Sequence, residues 1–227
     1  IEDPVEYDIE HVQQTQVNAK KNLTFATGLR SIVRQDPNII MVGEIRDNET
    51  ADIAINAAMT GHLLLSTLHA NDAATTFPRL IEMGIEPFLV ASSVNIVLAQ
   101  RLIRKICTRC RISYVLSRQE IDMLESEPEI PHFIKKVSGQ KSLAKIRFYK
   151  GSGCTVCNNT GYSGRTGIFE VMEITKELRP LIIEKASADR IAEHARKLGM
   201  TSMLYDGITK VFQGVTTLEE LMRATRA

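Results

Sequence analysis

No stretch of this sequence comes near the roughly 20 consecutive apolar residues that a membrane-spanning helix needs. The first residues also lack the basic, apolar and small-residue order of a secretory signal peptide. Neither sign of charge dominates, because 28 basic residues stand against 27 acidic ones. The overall charge therefore gives no reason to expect nucleic acid or an anionic membrane surface as a partner. These absences predict a cytosolic globular protein.

The sequence also contains no phosphate-binding loop of the form G-x-x-x-x-G-K-[ST]. It thus lacks the usual backbone cradle and lysine for the β- and γ-phosphates of a nucleotide. The chain begins at Ile1 instead of a methionine, directly within the charged run "IEDPVEY". We therefore expect it to be cut from a longer chain.

Strand and helix patterns alternate over the first half of the chain. Two short apolar runs, "NIIMVGE" and "HLLLSTLHAND", are typical of buried strands. Helical spacing flanks them in "LTFATGLRSIVRQ" behind a Thr24 cap, in "NETADIAINAAMTG" ending at Gly61, and in "DAATTFPRLIEMG" and "EPFLVASSVNIVLAQRLIRKI". This alternation predicts an α/β fold, with a parallel sheet that carries helices on both faces.

Changes in composition along the chain predict three zones. Residues 1–106 form the α/β part, and residues 107–167 hold all four cysteines. Residues 168–227 read as a strand followed by helices, the last of them behind a capping box from Thr217 to Glu220.

The four cysteines form two C-x-x-C pairs, Cys107 with Cys110 and Cys154 with Cys157. Two residues between thiolates let both sulfurs reach one tetrahedral ion at about 2.3 Å, so two such pairs complete a closed four-thiolate zinc site. The alternatives are two disulfides, which a cytosolic chain disfavours, or paired redox dithiols, which normally show a single pair. Because 43 residues separate the pairs, the segment between them must form a folded insertion that returns the chain to the first pair.

Basic residues near the first cysteine pair raise a nucleic-acid alternative. They are Arg101, Arg104, Lys105, Arg109 and Arg111. Nucleic-acid zinc modules place such residues against phosphate, but no aromatic residues interleave with them here. A solvated helix face is the commoner explanation, so we expect no nucleic-acid partner.

Charged side chains flank the predicted strands, with His62 before its strand and the others after, and open parallel sheets bind ligands at the edge where the strands end. We expect them to converge there, and they are Glu2, Asp3, Glu6, Glu44, Arg46, Asp47, His62 and His69. Acidic residues at such an edge can hold Mg²⁺ through its water shell or orient an attacking water, while His and Arg stabilise charge on a γ-phosphate. Each signal alone is more often structural, but the combination predicts phosphoryl transfer to water.

Four segments, in their order and together with the two C-x-x-C pairs, resemble the ATPases of type II secretion and type IV pilus assembly. They are "IEDPVE", "LRSIVRQDPNIIMVGEIRD", "TGHLLLSTLHANDA" and "GYSGRTGIFEVMEI". The resemblance implies that "IEDPVE" is the Asp box, with Glu2 as an acid facing the nucleotide and Asp3 beside it. It implies that "IIMVGE" is the Walker B strand with Glu44 as the catalytic acid, and that "TGHLLLSTLH" is the His box, with His62 and His69 at the nucleotide.

The resemblance covers essentially the whole chain and also implies its architecture and partners. Members have a RecA-like α/β core, a four-cysteine zinc subdomain and a C-terminal helical subdomain. They form cytosolic homo-hexameric rings that hydrolyse ATP with Mg²⁺ and drive pilin or pseudopilin assembly through an inner-membrane platform protein. The phosphate-binding loop lies upstream of the Asp box in this family, so we expect the 227-residue chain alone to hydrolyse ATP negligibly. The choice between pilus assembly and type II secretion stays open.

Arginines near the predicted site have two interpretations. In a ring motor, Arg30 and Arg34 are expected to face the nucleotide of a neighbour or an inter-domain surface. The alternative is that they and Arg46 form internal ion pairs with Asp36, Asp47 or Glu49.

A different class of function also fits part of the sequence, namely a zinc-stabilised interaction or nucleic-acid module without motor activity. Such a module would bind DNA or RNA in a salt-dependent way, which a gel-shift titration at two salt concentrations would show.

Overall fold

The structure is a computed structural model of the chain, and it describes residues 1–126, 129–140 and 142–225. These residues contain ten α-helices and six β-strands. The helices are α1 Phe25–Val33, α2 Asn48–Met59, α3 Thr76–Glu82, α4 Pro87–Ser93, α5 Arg118–Glu125, α6 Glu129–Ser138, α7 Arg179–Ile183, α8 Ala188–Lys197, α9 Met203–Phe212 and α10 Leu218–Thr225. The strands are β1 Ile39–Val42, β2 Leu63–Ser66, β3 Ile96–Ile106, β4 Arg111–Val115, β5 Arg147–Gly151 and β6 Tyr162–Glu173. In this part of the chain no helix combines the length and apolarity that crossing a bilayer requires.

The strands β1 and β2 pair in parallel, from Ile39 opposite Leu63 to Val42 opposite Ser66. The start of the chain lies along the other edge of β1. There the Ile1 amine donates to the Met41 carbonyl at 2.8 Å, and the Ile1 carbonyl accepts from the Gly43 N–H at 2.8 Å. The chain start therefore extends the parallel arrangement, and the predicted mixed α/β fold with a parallel sheet is confirmed.

One face of the β1–β2 pair packs against the helices and the other is open. Ile40 and Val42 are buried, as is Leu29 of α1, whereas the side chains on the opposite face are 43–62 % exposed. These exposed side chains are Ile39, Met41, Leu63 and Leu65. The apolar runs had predicted burial on both faces, but within the described residues nothing covers this second face.

The predicted Thr24 cap of α1 and the predicted glycine stop at Gly61 are confirmed. Thr24 caps α1 through reciprocal bonds with Thr27, in which the Thr27 N–H donates to Thr24 Oγ1 at 3.2 Å. Asp47 caps α2 by accepting from the Thr50 N–H at 2.7 Å. Gly61 follows α2 with a φ of +102°, a conformation that favours glycine.

The helix predicted over residues 86–106 is partly wrong. Helix α4 ends at Ser93, and the residues from Ile96 onward form β3, which pairs with β6. Apolar residues in this run satisfy both a helical and an extended spacing, and pairing with another strand decides between them.

Contacts divide the chain into two compact units. The first comprises Ile1–Val97 with Met172–Leu198, and the second comprises Leu98–Val171 with Gly199–Ala227. The three zones predicted from the sequence follow chain order, whereas these units combine segments distant in sequence. Helix α7, for example, contacts α4 in the first unit. The division into three functional zones stays a prediction.

The core of the second unit joins the segment between the cysteine pairs to the last two helices. Phe148 of β5 lies at its centre, with ring centroids 6.1 Å from Tyr114 and 5.7 Å from Phe212. The buried apolar members include Leu116, Ile121, Leu124, Ile134, Leu143, Ile146, Phe148, Ile208, Val211 and Leu221. The predicted insertion between the cysteine pairs therefore shares its core with α9 and α10.

Helix α10 begins with half of the predicted capping box. The Glu220 N–H donates to Thr217 Oγ1 at 3.1 Å, but the Glu220 carboxylate turns to two arginines instead of the cap. It accepts from Arg104 Nη2 at 2.6 Å, from the Arg104 backbone N–H at 3.0 Å and from Arg223 Nη2 at 2.7 Å. Its side chain is 0 % exposed. Hydrogen bonds from Arg223, and then from Arg104, outweigh burial and lower the pKa of Glu220 to about 2.

This ion pair predicts an acid-dependent contribution to stability. The pKa of Glu220 is below its ordinary value of 4.5 in the folded protein, so the contribution is complete above about pH 4.5 and is lost as the pH falls towards 2. We expect Glu220→Gln to lower the free energy of unfolding at pH 7 by on the order of 2 kcal/mol, allowing for water around the two guanidinium groups. Urea unfolding at pH 7 and at pH 2 should show most of this difference disappear. Glu219→Gln, at the exposed neighbouring position, is the control, and a pH-independent difference would contradict the prediction.

Candidate active site and metal centre

The side chains that follow β1 and β2 meet at the carboxyl ends of these strands. Glu44 lies at the centre, with Oε1 2.6 Å from Arg46 Nη2 and Oε2 3.0 Å from His69 Nε2. The main chain keeps the two segments together beyond the strands, since Ile45 N–H donates to the Thr67 carbonyl at 3.0 Å. The Glu44 side chain is 14 % exposed, whereas those of Arg46 and His69 are 60 % and 83 % exposed. A nearly buried carboxylate therefore lies beneath an accessible guanidinium group and an accessible imidazole.

The neighbours of Glu44 keep it ionised. The hydrogen bond from Arg46 is the main cause that lowers the pKa of Glu44, burial opposes it, and His69 lowers the pKa further. The pKa of Arg46 is raised, mainly by the hydrogen bond to Glu44, and the charge of Asp3 also contributes. Asp3 is thus within electrostatic reach of the same cluster.

Glu2 reaches this edge because Gly43 lets the chain start come close. A Cβ atom on Gly43 would lie 3.3 Å from both the Glu2 Cα and the Ile1 carbonyl oxygen, which is tighter than an ordinary contact. The Glu2 carboxylate accepts a hydrogen bond from Gln14 Nε2 at 2.8 Å. The structure therefore brings together five of the side chains expected to converge at this edge, which are Glu2, Asp3, Glu44, Arg46 and His69.

Three predicted nucleotide-binding residues lie elsewhere. His62 precedes β2, at the end opposite to His69, and its Nδ1 donates to the Ala57 carbonyl at 3.0 Å. The expected convergence of both histidines on one edge is therefore wrong, because a strand separates them. Arg30 pairs with Glu49 at 2.5 Å between α1 and α2, and Arg34 is exposed at the end of α1.

Sequence reasoning missed two contributors to the cluster. Gln14 was not singled out, because a glutamine in a polar run carries no spacing signal. Thr67, whose hydroxyl donates to the Gly43 carbonyl at 2.7 Å, was hidden inside the strand pattern. The sequence predicts that Arg46 lies at this edge, but it carries no signal for the ion pair with Glu44.

The four cysteines form one cluster at the ends of an antiparallel hairpin. Cys107 and Cys110 lie just before β4, and Cys154 and Cys157 lie just after its partner β5. Sγ atoms are 3.9 Å apart for Cys107 and Cys154, 3.8 Å for Cys110 and Cys157, and 3.7 Å for Cys154 and Cys157. All four are free thiols, with Sγ atoms within 4.8 Å of one another. A tetrahedral ion with bonds of about 2.3 Å places its sulfur ligands about 3.8 Å apart, so the cluster fits such an ion.

Backbone contacts hold the two C-x-x-C segments, here called knuckles, in place. Cys107 N–H donates to the Gly161 carbonyl at 2.9 Å. Gly151 and Gly161 pack so closely that a Cβ on Gly151 would lie 2.1 Å from the Gly161 carbonyl oxygen.

Burial raises the pKa of Cys110 to about 11. Burial also opposes ionisation of Cys157, but backbone hydrogen bonds from Cys154 and Gly161 and the neighbouring thiols lower its pKa to about 6.

The sequence matches a known family over nearly its whole length. The profile described as "Type II/IV secretion system protein" matches residues 1–223. This chain belongs to that family. Its resemblance to these ATPases, drawn from the four motifs and the cysteine pairs, is confirmed.

Individual members are similar to the chain throughout. "Type II secretion system protein E" of Pseudomonas aeruginosa is 47 % identical over 226 residues, covering 100 % of this chain and 42 % of that protein. "Type IV pilus assembly ATPase PilB" of Thermus thermophilus is 46 % identical over 226 residues, covering 99 % of this chain and 24 % of that protein. The chain thus spans less than half the length of these family members.

Solved structures share the fold. The pilus retraction motor PilT with bound ADP has a TM-score of 0.62 and 24 % identity, covering 98 % of this chain and 50 % of that one. The ATPase DotB of Legionella pneumophila has a TM-score of 0.60 and 21 % identity, covering 97 % and 49 %. The family fold is therefore that of known ATPases.

Proposed function

We propose that this chain is the C-terminal part of a hexameric ATPase that powers type II protein secretion or type IV pilus assembly. The observation that carries the proposal is the Glu44 cluster, in which an ionised carboxylate lies between Arg46 and His69 at the carboxyl ends of parallel strands. Family members that are 46 % and 45 % identical to the chain are named as the ATPases of these machines. Their identities of 45–47 % do not favour one machine over the other.

Each residue of the cluster has a proposed role in ATP hydrolysis. Glu44 orients the attacking water through a hydrogen bond and accepts a proton from it, as a carboxylate near an accessible surface can do. Arg46 and His69 stabilise negative charge that develops on the γ-phosphate. Glu2 and Asp3 hold the water shell of Mg²⁺, which neutralises phosphate charge when it is bound with ATP.

The residues outside the cluster are proposed to act in the assembled ring. Arg30 lies on α1 and pairs with Glu49, and the exposed Arg34 directly follows this helix, so we assign both to an inter-domain or inter-subunit face. Arg30 would have to leave Glu49, a pair in which both side chains are about half exposed. His62 would contribute to nucleotide binding only through a neighbouring part of the assembly, because its ring lies at the other end of β2.

The cysteine cluster is proposed to hold a structural zinc ion. Four thiolates complete a tetrahedral shell and leave no open position for a substrate, which is typical of structural zinc sites. The sulfur separations fit this geometry. We further propose a cytoplasmic ring at the inner membrane, with the platform protein of the machine as its partner and no nucleic acid.

The proposal is tested by comparing ATP turnover of the full-length protein with that of the 227-residue chain. We expect the full-length protein to hydrolyse ATP and the chain alone to do so negligibly, because its sequence has no phosphate-binding loop. Steady-state phosphate release at saturating Mg²⁺–ATP measures both. Absence of turnover in the full-length protein would overturn the proposed function, and turnover by the shorter chain would overturn the need for the loop.

A further inference from the structure

We propose that Gln14 is a positioning residue that fixes the carboxylate of Glu2 at the active site. Its Nε2 donates to Glu2 Oε2 at 2.8 Å and to the Tyr7 carbonyl at 2.9 Å. Its Oε1 accepts from the Ile9 N–H at 2.8 Å. Both amide hydrogens are thus used, and the amide group is fixed by three bonds to three different residues.

The contact acts on the side chain of Glu2 and not on its backbone. The main chain of Glu2 is held separately, since its N–H donates to the Thr15 carbonyl at 3.0 Å and its carbonyl accepts from the Val17 N–H at 2.9 Å. Gln14 engages one carboxylate oxygen and leaves Oε1 available to a metal-bound water. Without Gln14 the backbone of Glu2 would keep its place, while the carboxylate could take other rotamers.

The charge of the group at position 14 also matters. Several charged groups face this edge, and they are the Ile1 amine, Asp3, Glu44, Arg46 and His69. A neutral amide donates to Glu2 without adding charge, whereas a carboxylate in its place would face Glu2 at hydrogen-bond distance. Two carboxylates that close repel each other, so Glu2 would turn away from this position.

The test uses the full-length protein and rests on the proposed ATPase function. We expect Gln14→Leu to lower kcat about 10-fold with KM for ATP within about twofold, because the carboxylate is misplaced while nucleotide contacts remain. We expect Gln14→Glu to lower kcat at least as far, because an ionised carboxylate at this position has no hydrogen to donate to Glu2. Gln13→Glu, at the exposed neighbouring position, makes the same charge change without this contact and should leave kcat unchanged.

The variant Glu2→Gln separates this inference from the proposed function. If Glu2→Gln leaves turnover unchanged, the catalytic role of Glu2 fails and the inference fails with it. If Glu2→Gln is impaired but both Gln14 variants behave like the unmodified protein, the inference alone is overturned. Should Gln14→Glu not fold, the kcat and KM of Gln14→Leu decide the matter. Loss of folding or ring assembly in both variants would show a structural role and overturn the inference.

Discussion

A Glu44→Gln variant of the full-length protein is expected to bind ATP but to hydrolyse it about 100- to 1,000-fold more slowly. The glutamine side chain has the same shape as the glutamate and keeps an oxygen for Arg46, so the site should retain its geometry. It cannot accept a proton from the attacking water. Steady-state kcat and the affinity for ATP, measured separately, should show a loss in turnover without a loss in binding.

A matched substitution on the same unit is the control for this prediction. Glu86 is exposed, precedes α4 and has no side-chain capping bond, so Glu86→Gln should turn over ATP like the unmodified protein. Equal kcat values for the Glu44 and Glu86 variants would remove Glu44 from the proposed mechanism. Weakened ATP binding in the Glu44 variant alone would assign it to binding instead of catalysis.

Loss of one metal ligand is expected to have the second large effect. In a Cys157→Ser variant, bound zinc should fall from about one ion per chain to a small fraction of that, because a neutral hydroxyl is a much poorer ligand than a thiolate. Metal binding is coupled to folding, so the free energy of unfolding of this region should fall by at least about 3 kcal/mol. Atomic spectroscopy measures the metal content. Hydrogen exchange should become faster around β4 and β5, while β1 and β2 keep their protection.

The control for metal loss lies within the same knuckle. Val156 stands between two ligands but is 65 % exposed, so Val156→Ser introduces the same side chain without removing a sulfur. This variant should keep its zinc and its exchange protection. Full metal content in the Cys157 variant, or unchanged exchange after chelator treatment of the unmodified protein, would contradict the structural role.

Much of the candidate site could be predicted because its residues follow directly on apolar strands. The carboxyl ends of parallel strands lie on one edge, so Glu44 and His69 had to be near each other once β1 and β2 were recognised. The cysteine site was equally predictable, since C-x-x-C spacing has a geometric meaning independent of fold.

The remaining features depend on tertiary partners that a local pattern does not show. His62 precedes its strand and therefore lies at the other end, a distinction that proximity in sequence conceals. The run after Ser93 has apolar residues compatible with a helix, and only its pairing with β6 makes it a strand. Glu220 fits the sequence of a capping box, yet its carboxylate binds two arginines instead. Arg104 is distant in sequence, and Arg223 is one helical turn further on.

The hairpin formed by β4 and β5 affects how the metal site tolerates changes in chain length. Closing a flexible loop has an entropic cost that grows with the logarithm of its length. Here the ladder from Arg111–Gly151 to Val115–Arg147 already aligns both ends of the intervening segment. The ion then joins only the short connections on either side of the ladder. Insertions or deletions between α5 and α6 should therefore leave the affinity for zinc nearly unchanged.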